Sequence, residues 1–299
     1  MTGSESDARS GSGCGHLRIA SWNIENLAPM LASDAHDSLG QVIERLQYPD
    51  VLCLQEVRLR PGDANLIAAA RSALPGYRCH MSLNHDERNA SYRGGRAYGV
   101  VTFSRESLGG EQELYAWDRE GRVVITHLPV AHLAIANVYA VNGTSKPYWS
   151  HELGRWDGDR HAFKRRFIER LAQEWDALRA SGLRLVLVGD WNISRTRLDT
   201  WPRLRTQEPH ATARAEFNDR FIPGLDLVDA FRELHPAERK YTWFNRRARG
   251  DRLDAARVDF ALVSRSLMPR VTNADIDQER SARGRSDHAP LWIDLAMAS

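Results

Sequence analysis

The strongest constraint on the fold of this chain is a series of short apolar runs, rich in β-branched residues, that recur from residue 17 to residue 295. Each run is bounded by charged or turn-forming residues, which is typical of buried strands. The pattern predicts about ten strands, at residues 17–22, 51–55, 97–104, 122–127, 133–140, 184–188, 225–229, 241–244, 257–263 and 291–295. We therefore expect a chain built around buried sheets.

Helical periodicity lies between several of these strands, which makes the predicted fold α/β. It is clearest over Arg160–Ala180, before a helix-ending Gly182, and two shorter helices are predicted at residues 38–46 and 64–74. In the long helix apolar side chains recur at three- and four-residue steps, at Phe163, Phe167, Leu171, Trp175 and Leu178. We interpret this stripe as core packing and not as a ligand site, because an amphipathic helix needs this spacing.

The organisation of the chain predicts one domain. Residues 1–16 are polar and are expected to form a flexible tail, and the remainder, residues 17–299, has no internal repeat or low-complexity linker. Long polar loops are predicted at residues 81–96, 142–159, 195–218 and 245–256. Such loops are commonly functional, so we expect them to form the rim of a binding cleft.

Composition limits the classes of partner. The formal net charge is only +2, so any attraction to phosphate must be local. Arginine supplies 38 of the 41 basic residues, which suits phosphate binding, although a codon bias explains it equally well. Cys14, Cys53 and Cys79 form no CxxC pattern, so neither a disulfide framework nor a zinc site is expected. Such sparse cysteines fit a reducing compartment, so we expect a cytoplasmic location. No run reaches the ~18 apolar residues of a membrane span.

Acids, amides, an imidazole and a phenol stand at the ends of the predicted strands, where a common sheet edge would gather them. They are Asn23, Glu25, Glu56, Tyr139, Asn142, Asp190, Asn192, Asp259, Asp287 and His288. Alone, Glu56 is more often a surface charge than a metal ligand. Asp259 stands inside an apolar run, where a carboxylate needs a partner, and His288 is the natural one. Gly189 would allow close backbone approach beside Asp190.

Seven strings carry a family resemblance. In order, SWNIENL, DVLCLQEVR, YGVVTFSR, ANVYAVNG, LVLVGDWNIS, RVDFALVS and SDHAPLWIDL resemble the exonuclease III and AP-endonuclease branch of the endonuclease/exonuclease/phosphatase superfamily. They spread over almost the whole predicted domain. The resemblance implies a deoxyribonuclease I-like, four-layer α/β sandwich, in which two mixed β-sheets pack face to face with helices outside.

The resemblance also implies roles for individual residues. Glu56 is similar to the principal metal ligand of the family, with Glu25 and Asp287 as further acids near the metal. Asp259 and His288 resemble its Asp–His pair, while Tyr139 resembles its active-site tyrosine. The remaining polar residues, Asn23, Asn142, Asp190 and Asn192, match its hydrogen-bonding network around the phosphate.

These residues predict a metal-dependent phosphodiester hydrolase. Carboxylates suit Mg²⁺, for which Mn²⁺ is a possible substitute, and Asn192, Tyr139 and His288 would stabilise charge on the phosphoryl oxygens. Asp190 and His288 are both plausible general bases, since sequence provides no geometry.

Duplex DNA, abasic DNA included, is the predicted substrate of a monomeric repair nuclease. Trp243 and Phe244 would line a pocket for a sugar without its base, unless they are strand core, and Arg96 would bind the DNA backbone together with Arg93, Arg246, Arg247 and Arg249. The segment at residues 142–159 departs from the family. Two alternatives remain: a phosphoesterase of the same fold acting on RNA, nucleotides or lipids, and an inactive DNA- or protein-binding module.

Overall fold

A computed structural model describes residues 15–32, 37–89, 98–202, 205, 207–246, 254–278 and 286–297 of the chain. In chain order its strands are β1 His16–Asn23, β2 Val51–Gln55, β3 Tyr77–Ser82, β4 Val100–Arg105, β5 Glu111–Glu113, β6 Val123–Leu128, β7 Leu133–Tyr139, β8 Pro147–Ser150, β9 Arg155–Asp159, β10 Arg184–Asp190, β11 Leu227–Asp229, β12 Trp243–Phe244, β13 Ala255–Ala256, β14 Asp259–Ser264, β15 Val271–Ile276 and β16 Leu291–Ala296.

The α-helices are α1 Leu39–Arg45, α2 Ala64–Ser72, α3 Arg160–Ala180, α4 His210–Glu216, α5 Ile222–Gly224 and α6 Ala230–Leu234. A π-helical segment, Phe217–Phe221, joins α4 to α5. Short 3₁₀ segments lie at Ala28–Met30, Glu106–Leu108, Pro129–Ala131 and Arg265–Arg270. No helix in the described ranges is long and apolar enough to span a bilayer.

Two six-stranded sheets form the centre of the fold. The first has the order β15-β16-β1-β2-β4-β3 and the second the order β11-β14-β10-β7-β6-β5. Each sheet is mixed: β1 pairs in parallel with β2, and β7 in parallel with β10, while the other neighbours are antiparallel. The connections between the parallel pairs carry helices, α1 in the first sheet and α3 in the second.

The apolar faces of the two sheets pack against each other. Ile19 and Val51 of the first sheet share one buried cluster with Ile135 and Val188 of the second. On the outer face of the first sheet, α1 and α2 pack over Leu52 and Phe103 and their neighbours. The outer face of the second sheet is covered by α3 and the π-helical segment. The arrangement is therefore the predicted four-layer sandwich, helix–sheet–sheet–helix.

The long helix α3 begins and ends where the sequence predicts. The Asp159 carboxylate caps it by accepting from the backbone N–H of Ala162 at 2.9 Å. Its apolar stripe faces the second sheet: Phe167, Leu171 and Trp175 are buried there. The interpretation of this stripe as core is correct.

Several sequence predictions need correction. The sequence predicts that residue 16 belongs to the tail, yet it is the first residue of β1, and residues 1–14 lie outside the described ranges. The predicted loop at residues 142–159 contains the hairpin β8–β9, and that at residues 195–218 contains α4. The edge strands β3 and β15 were missed as well. Edge strands are half-exposed and their sequences are polar, so they lack the apolar run that marks central strands.

Candidate active site

Strand pairing places three of the predicted side chains next to each other. In the second sheet Asp190 is the register partner of Tyr139 on one side and of Asp259 on the other. Neighbouring strands are about 4.8 Å apart and register partners share a face, so these groups form a row at the sheet edge. The close approach of β10 to β7 also needs Gly189, because a Cβ there would lie 2.0 Å from the Val138 carbonyl oxygen.

Asp190 is held by three amide groups. Asn23 Nδ2 donates to Asp190 Oδ2 at 3.0 Å from the other sheet, and the Asn192 backbone N–H donates to Oδ1 at 2.8 Å. The Asn192 side-chain amide donates to the Ala140 carbonyl at 2.9 Å and to Asp190 Oδ2 at 3.3 Å. Burial raises the pKa of Asp190 to about 7, and the nearby charge of His288 opposes that shift. Its orientation is thus fixed and its pKa is close to neutral.

His288 and Asp259 form the buried pair that the sequence predicts. His288 Nδ1 lies 2.8 Å from Asp259 Oδ2, and both side chains are almost fully buried. Burial alone would lower the pKa of His288, but the charges of Asp259 and Asp190 raise it to about 10. The imidazole is therefore protonated at neutral pH, with Nε2 3.8 Å from Asp190 Oδ2. A protonated ring donates and cannot bind a cation.

Tyr139 rests against a buried arginine. The Arg122 guanidinium lies 5.0 Å from the Tyr139 ring centroid and donates to the Tyr139 carbonyl at 3.0 Å. Glu120 holds this guanidinium, and Arg160 binds Glu120 through two hydrogen bonds of 2.7 Å. Burial and the charge of Glu56 raise the pKa of Tyr139 well above its usual range. Its hydroxyl is consequently a donor at any physiological pH.

Three further carboxylates, Glu25, Glu56 and Asp287, line the site. Burial, and then the charges of Asp287 and Glu56, raise the pKa of Glu25. Arginines lie next to two of these acids: Arg58 Nη2 donates to Glu56 Oε1 at 2.7 Å, and Arg246 Nη1 lies 3.2 Å from Glu25 Oε2. An all-oxygen donor set whose members repel one another fits a hard divalent cation.

These groups line one cleft of about 360 Å³. Of the predicted residues it brings together Asn23, Glu25, Glu56, Tyr139, Asn142, Asp190, Asn192, Trp243, Asp287 and His288. Asp259 lies behind His288, and Trp243 Nε1 donates to Asp287 Oδ2 at 3.1 Å. Phe244 does not reach the cleft, because it packs against the core between the sheets. Arg96, Arg93, Arg247 and Arg249 lie outside the described residues.

Three basic residues of the cleft were missed by the sequence analysis. Arg58, His210 and Arg214 all line it. Arg58 could have been found, since it follows Glu56 by two residues in the string QEVR. His210 and Arg214 belong to α4, in a segment predicted as a loop, so no sequence signal tied them to the site.

Backbone strain is concentrated at this cleft. Glu25, Glu56 and Asn192 have φ angles of 59°, 58° and 51°, in the left-handed region that residues other than glycine seldom adopt. Each follows the end of a strand that leads into the site. Such strain persists where the surrounding contacts hold it, and it is common at functional sites.

Comparison with known proteins identifies the family to which this chain belongs. The sequence profile described as the endonuclease/exonuclease/phosphatase family matches residues 20–288. The chain belongs to the endonuclease/exonuclease/phosphatase family. This membership confirms the predicted family and the predicted class of metal-dependent phosphoester hydrolase.

Individual curated proteins are similar to this chain over most of its length. Exodeoxyribonuclease III of Haemophilus influenzae is 27% identical over 296 residues, covering 93% of this chain and 100% of that protein. Recombination repair protein 1 of Drosophila melanogaster is 27% identical over 283 residues, 93% of this chain. The chain spans only 37% of the length of the Drosophila protein.

Similar solved structures confirm the fold. An AP endonuclease from Leishmania major matches with a TM-score of 0.75 at 21% identity, over 95% of this chain and 89% of that one. A 3′ phosphatase from Neisseria bound to a product DNA hairpin matches with a TM-score of 0.66 at 25% identity, over 93% of this chain and 99% of that one. The predicted pair of mixed sheets flanked by helices is therefore correct.

Proposed function

We propose that this protein hydrolyses phosphodiester bonds in DNA, through one active site in a single domain that extends from β1 to residue 299. The observation that carries the proposal is the Asp190 carboxylate, fixed by Asn23 and Asn192, 3.8 Å from the charged His288–Asp259 pair. This arrangement provides a proton acceptor and a cationic donor within reach of one phosphate. A binding surface has no need of such buried acids, which argues against an inactive module.

Asp190 is the proposed general base. Its pKa of about 7 makes it an acceptor for a water proton near neutral pH. His288, with a pKa of about 10, is already protonated and is the weaker candidate for that role. The amides of Asn23 and Asn192 orient the Asp190 carboxylate toward an attacking water.

His288 and Tyr139 are the proposed stabilisers of charge on the phosphoryl oxygens. With Nδ1 directed at Asp259, the Nε2–H of His288 is left to donate to a phosphate in the cleft. The protonated hydroxyl of Tyr139 provides a second donor. Donors fixed before substrate binds need no reorganisation as charge develops, and removing one typically costs about 10²–10³ in kcat.

Glu56, with Glu25 and Asp287, is the proposed site for Mg²⁺, or Mn²⁺ in its place. Their carboxylate oxygens are the ligand type these ions prefer. A cation bound there supplies Lewis-acid polarisation of the phosphate and offsets charge on the leaving oxygen. It would also relieve the repulsion from Asp287 and Glu56, which adds to burial in raising the pKa of Glu25.

Duplex DNA with an abasic site is the proposed substrate. Exodeoxyribonuclease III, a relative by sequence, and the Neisseria phosphatase, which is bound to a DNA product, support DNA as the polymer. Trp243 forms part of the cleft wall, where its indole could pack against a sugar that lacks its base. Its indole N–H is fixed by Asp287, which keeps the ring in place.

The test uses the purified protein with a labelled abasic duplex, an undamaged duplex, a matched RNA and bis(p-nitrophenyl) phosphate. We expect the abasic duplex to be cut fastest in Mg²⁺, and EDTA or Asp190→Asn to abolish all hydrolysis. Preferential cleavage of RNA, or hydrolysis of the small diester alone, would contradict the DNA assignment. No hydrolysis of any substrate in Mg²⁺ or Mn²⁺ would contradict the enzymatic proposal itself.

A further inference from the structure

Lys164 is a fully buried lysine beneath the cleft. It belongs to the first turns of α3 and is only 1% exposed, which is rare for this residue type. Its ammonium nitrogen donates to the main-chain carbonyl of Asn192 at 2.7 Å. It does not line the cleft, and the chemistry proposed above does not use it.

The residue that Lys164 contacts, Asn192, lies two residues after the proposed base Asp190 and has a strained backbone. Asn192 has a φ of 51°, and its N–H donates to Asp190 Oδ1 at 2.8 Å. Asp190 therefore accepts a hydrogen bond from the Asn192 N–H, and Lys164 donates one to the Asn192 carbonyl. Because left-handed backbone persists only where its surroundings fix it, the Lys164 contact bears on how Asn192 presents its amide.

The choice of lysine here is unusual for this chain. Lysine accounts for three of the 41 basic residues, at Lys146, Lys164 and Lys240. Lys146 is exposed, and Lys240 is half-buried and pairs with Glu238 and Asp275. An ammonium is a compact donor that fits a single carbonyl in a closed space, whereas a planar guanidinium needs several acceptors in a fork.

The space around Lys164 is indeed closed. A Cβ on Gly143 would lie 3.5 Å from Lys164 Cδ and 2.7 Å from His161 Nδ1, so the loop after Asn142 passes directly over the lysine. Burial lowers the pKa of Lys164 to about 7, and the charge of Asp190 opposes that shift. A lysine is expensive to bury in its charged form, so stability alone does not explain its presence here.

We propose that Lys164 is a positioning residue of this active site, whose ammonium fixes the Asn192 carbonyl and thereby the orientation of the Asn192 and Asp190 side chains. This inference rests on the proposed phosphodiesterase function. Lys164 itself touches neither substrate nor metal, so it acts on the rate of the chemical step and not on DNA binding.

The test compares Lys164→Met, Lys164→Gln and wild type, with Lys240→Met as a control at a half-buried lysine that does not line the cleft. We expect Lys164→Met to lower kcat for the abasic duplex and for bis(p-nitrophenyl) phosphate by roughly 10- to 100-fold, with KM nearly unchanged. Lys164→Gln keeps a neutral donor and should recover part of kcat. Lys240→Met should behave as wild type.

Two further measurements keep the inference independent of activity and of folding. The ¹⁵N shift of the Ile193 amide, whose nitrogen is bonded to the Asn192 carbonyl carbon, should move in Lys164→Met and not in Lys240→Met. Thermal unfolding of Lys164→Met should stay cooperative, because methionine fills a similar volume without a buried charge. Wild-type kcat in Lys164→Met, or an unchanged ¹⁵N shift of the Ile193 amide, would overturn the positioning role. An inactive wild type would instead overturn the proposed function, and the Ile193 shift would still decide the role of Lys164.

Discussion

The side-chain amide of Asn23 donates to Asp190 Oδ2 at 3.0 Å, and this hydrogen bond joins the first sheet to the second at the floor of the cleft. Just below it Gln55 Nε2 donates to Asn137 Oδ1 at 2.7 Å, also between the sheets. Buried polar bonds of this kind fix the offset of the two sheets, since any sliding would leave the amides unsatisfied. The geometry of the proposed base thus depends on how the sheets pack.

Activity should depend on the ionisation of Asp190. As a proposed base it works when deprotonated, so kcat/KM should rise with pH through the pKa of Asp190, about 7 in the cation-free protein, and a bound cation should lower that midpoint. The Asn23 hydrogen bond lowers this pKa, so Asn23→Ala should move the rise to higher pH and lower kcat roughly 10- to 100-fold. Profiles of log kcat/KM against pH measure the midpoint in wild type and in Asn23→Ala. The same midpoint in both proteins would refute the role of the Asn23–Asp190 hydrogen bond.

Asp259→Asn should remove the charge that keeps His288 protonated. The Asp259 carboxylate, followed by Asp190, raises the pKa of His288 against the effect of burial, so the variant should lower that pKa. We expect kcat to fall by about 10²–10⁴, with KM changed little. The ¹⁵N shifts of the His288 ring, followed by NMR as pH rises, report the pKa directly. A His288 that titrates at the same pH in both proteins would exclude this account.

Removing the Glu56 carboxylate should weaken cation binding. In wild type, saturating Mg²⁺ should raise the Tm, because a ligand at about 100 times its Kd stabilises the folded state by about 2.7 kcal/mol. Glu56→Ala should lose most of this increase and need more Mg²⁺ for activity. Asn192→Ala is the matched control and should keep the Tm increase while losing activity. The reverse order in a Mg²⁺ titration would reject Glu56 as the principal ligand.

Arg257 should be essential for stability. It is buried and donates to Asp199 Oδ1 at 2.7 Å and to Asp229 at 3.0 and 2.6 Å. Arg257→Met removes the shared buried partner of Asp199 and Asp229 and leaves them only Arg232 and Arg195, so we expect a loss of up to about 3–5 kcal/mol in the free energy of unfolding. Arg265→Met, at an exposed ion pair, should cost at most about 1 kcal/mol. Urea unfolding of both variants checks the difference.

The same cluster predicts loss of stability in acid. Burial would raise the pKa of Asp229, but Arg257 lowers it to about 2, below the ordinary value of 3.8. The folded state therefore binds fewer protons than the unfolded state between these values. The contribution of the ionised Asp229 to stability is present above pH 3.8 and is lost as pH falls toward about 2. In Arg257→Met the loss should begin at higher pH, and identical acid unfolding curves would argue against it.

The sequence alone determined the central strands, the long helix and most of the residues from which the site is built. Burial of central strands demands apolar runs, and an amphipathic helix demands its stripe, so β2, β7, β10 and α3 can be predicted from local pattern. The order of polar groups after those strands identified the family. Edge strands such as β3 escaped prediction because a half-exposed strand needs no such run.

Only the tertiary structure decided which side chains act together. Trp243 and Phe244 are neighbours in one strand, yet one lines the cleft and the other packs in the core, because successive side chains of a strand point to opposite faces and the packing of the sheets decides which face is open. The bond between Asn23 and Asp190 spans 167 residues. Lys164 reads in the sequence as one charge on a helix, and only the docking of α3 under the Asn192 loop turns that charge inward.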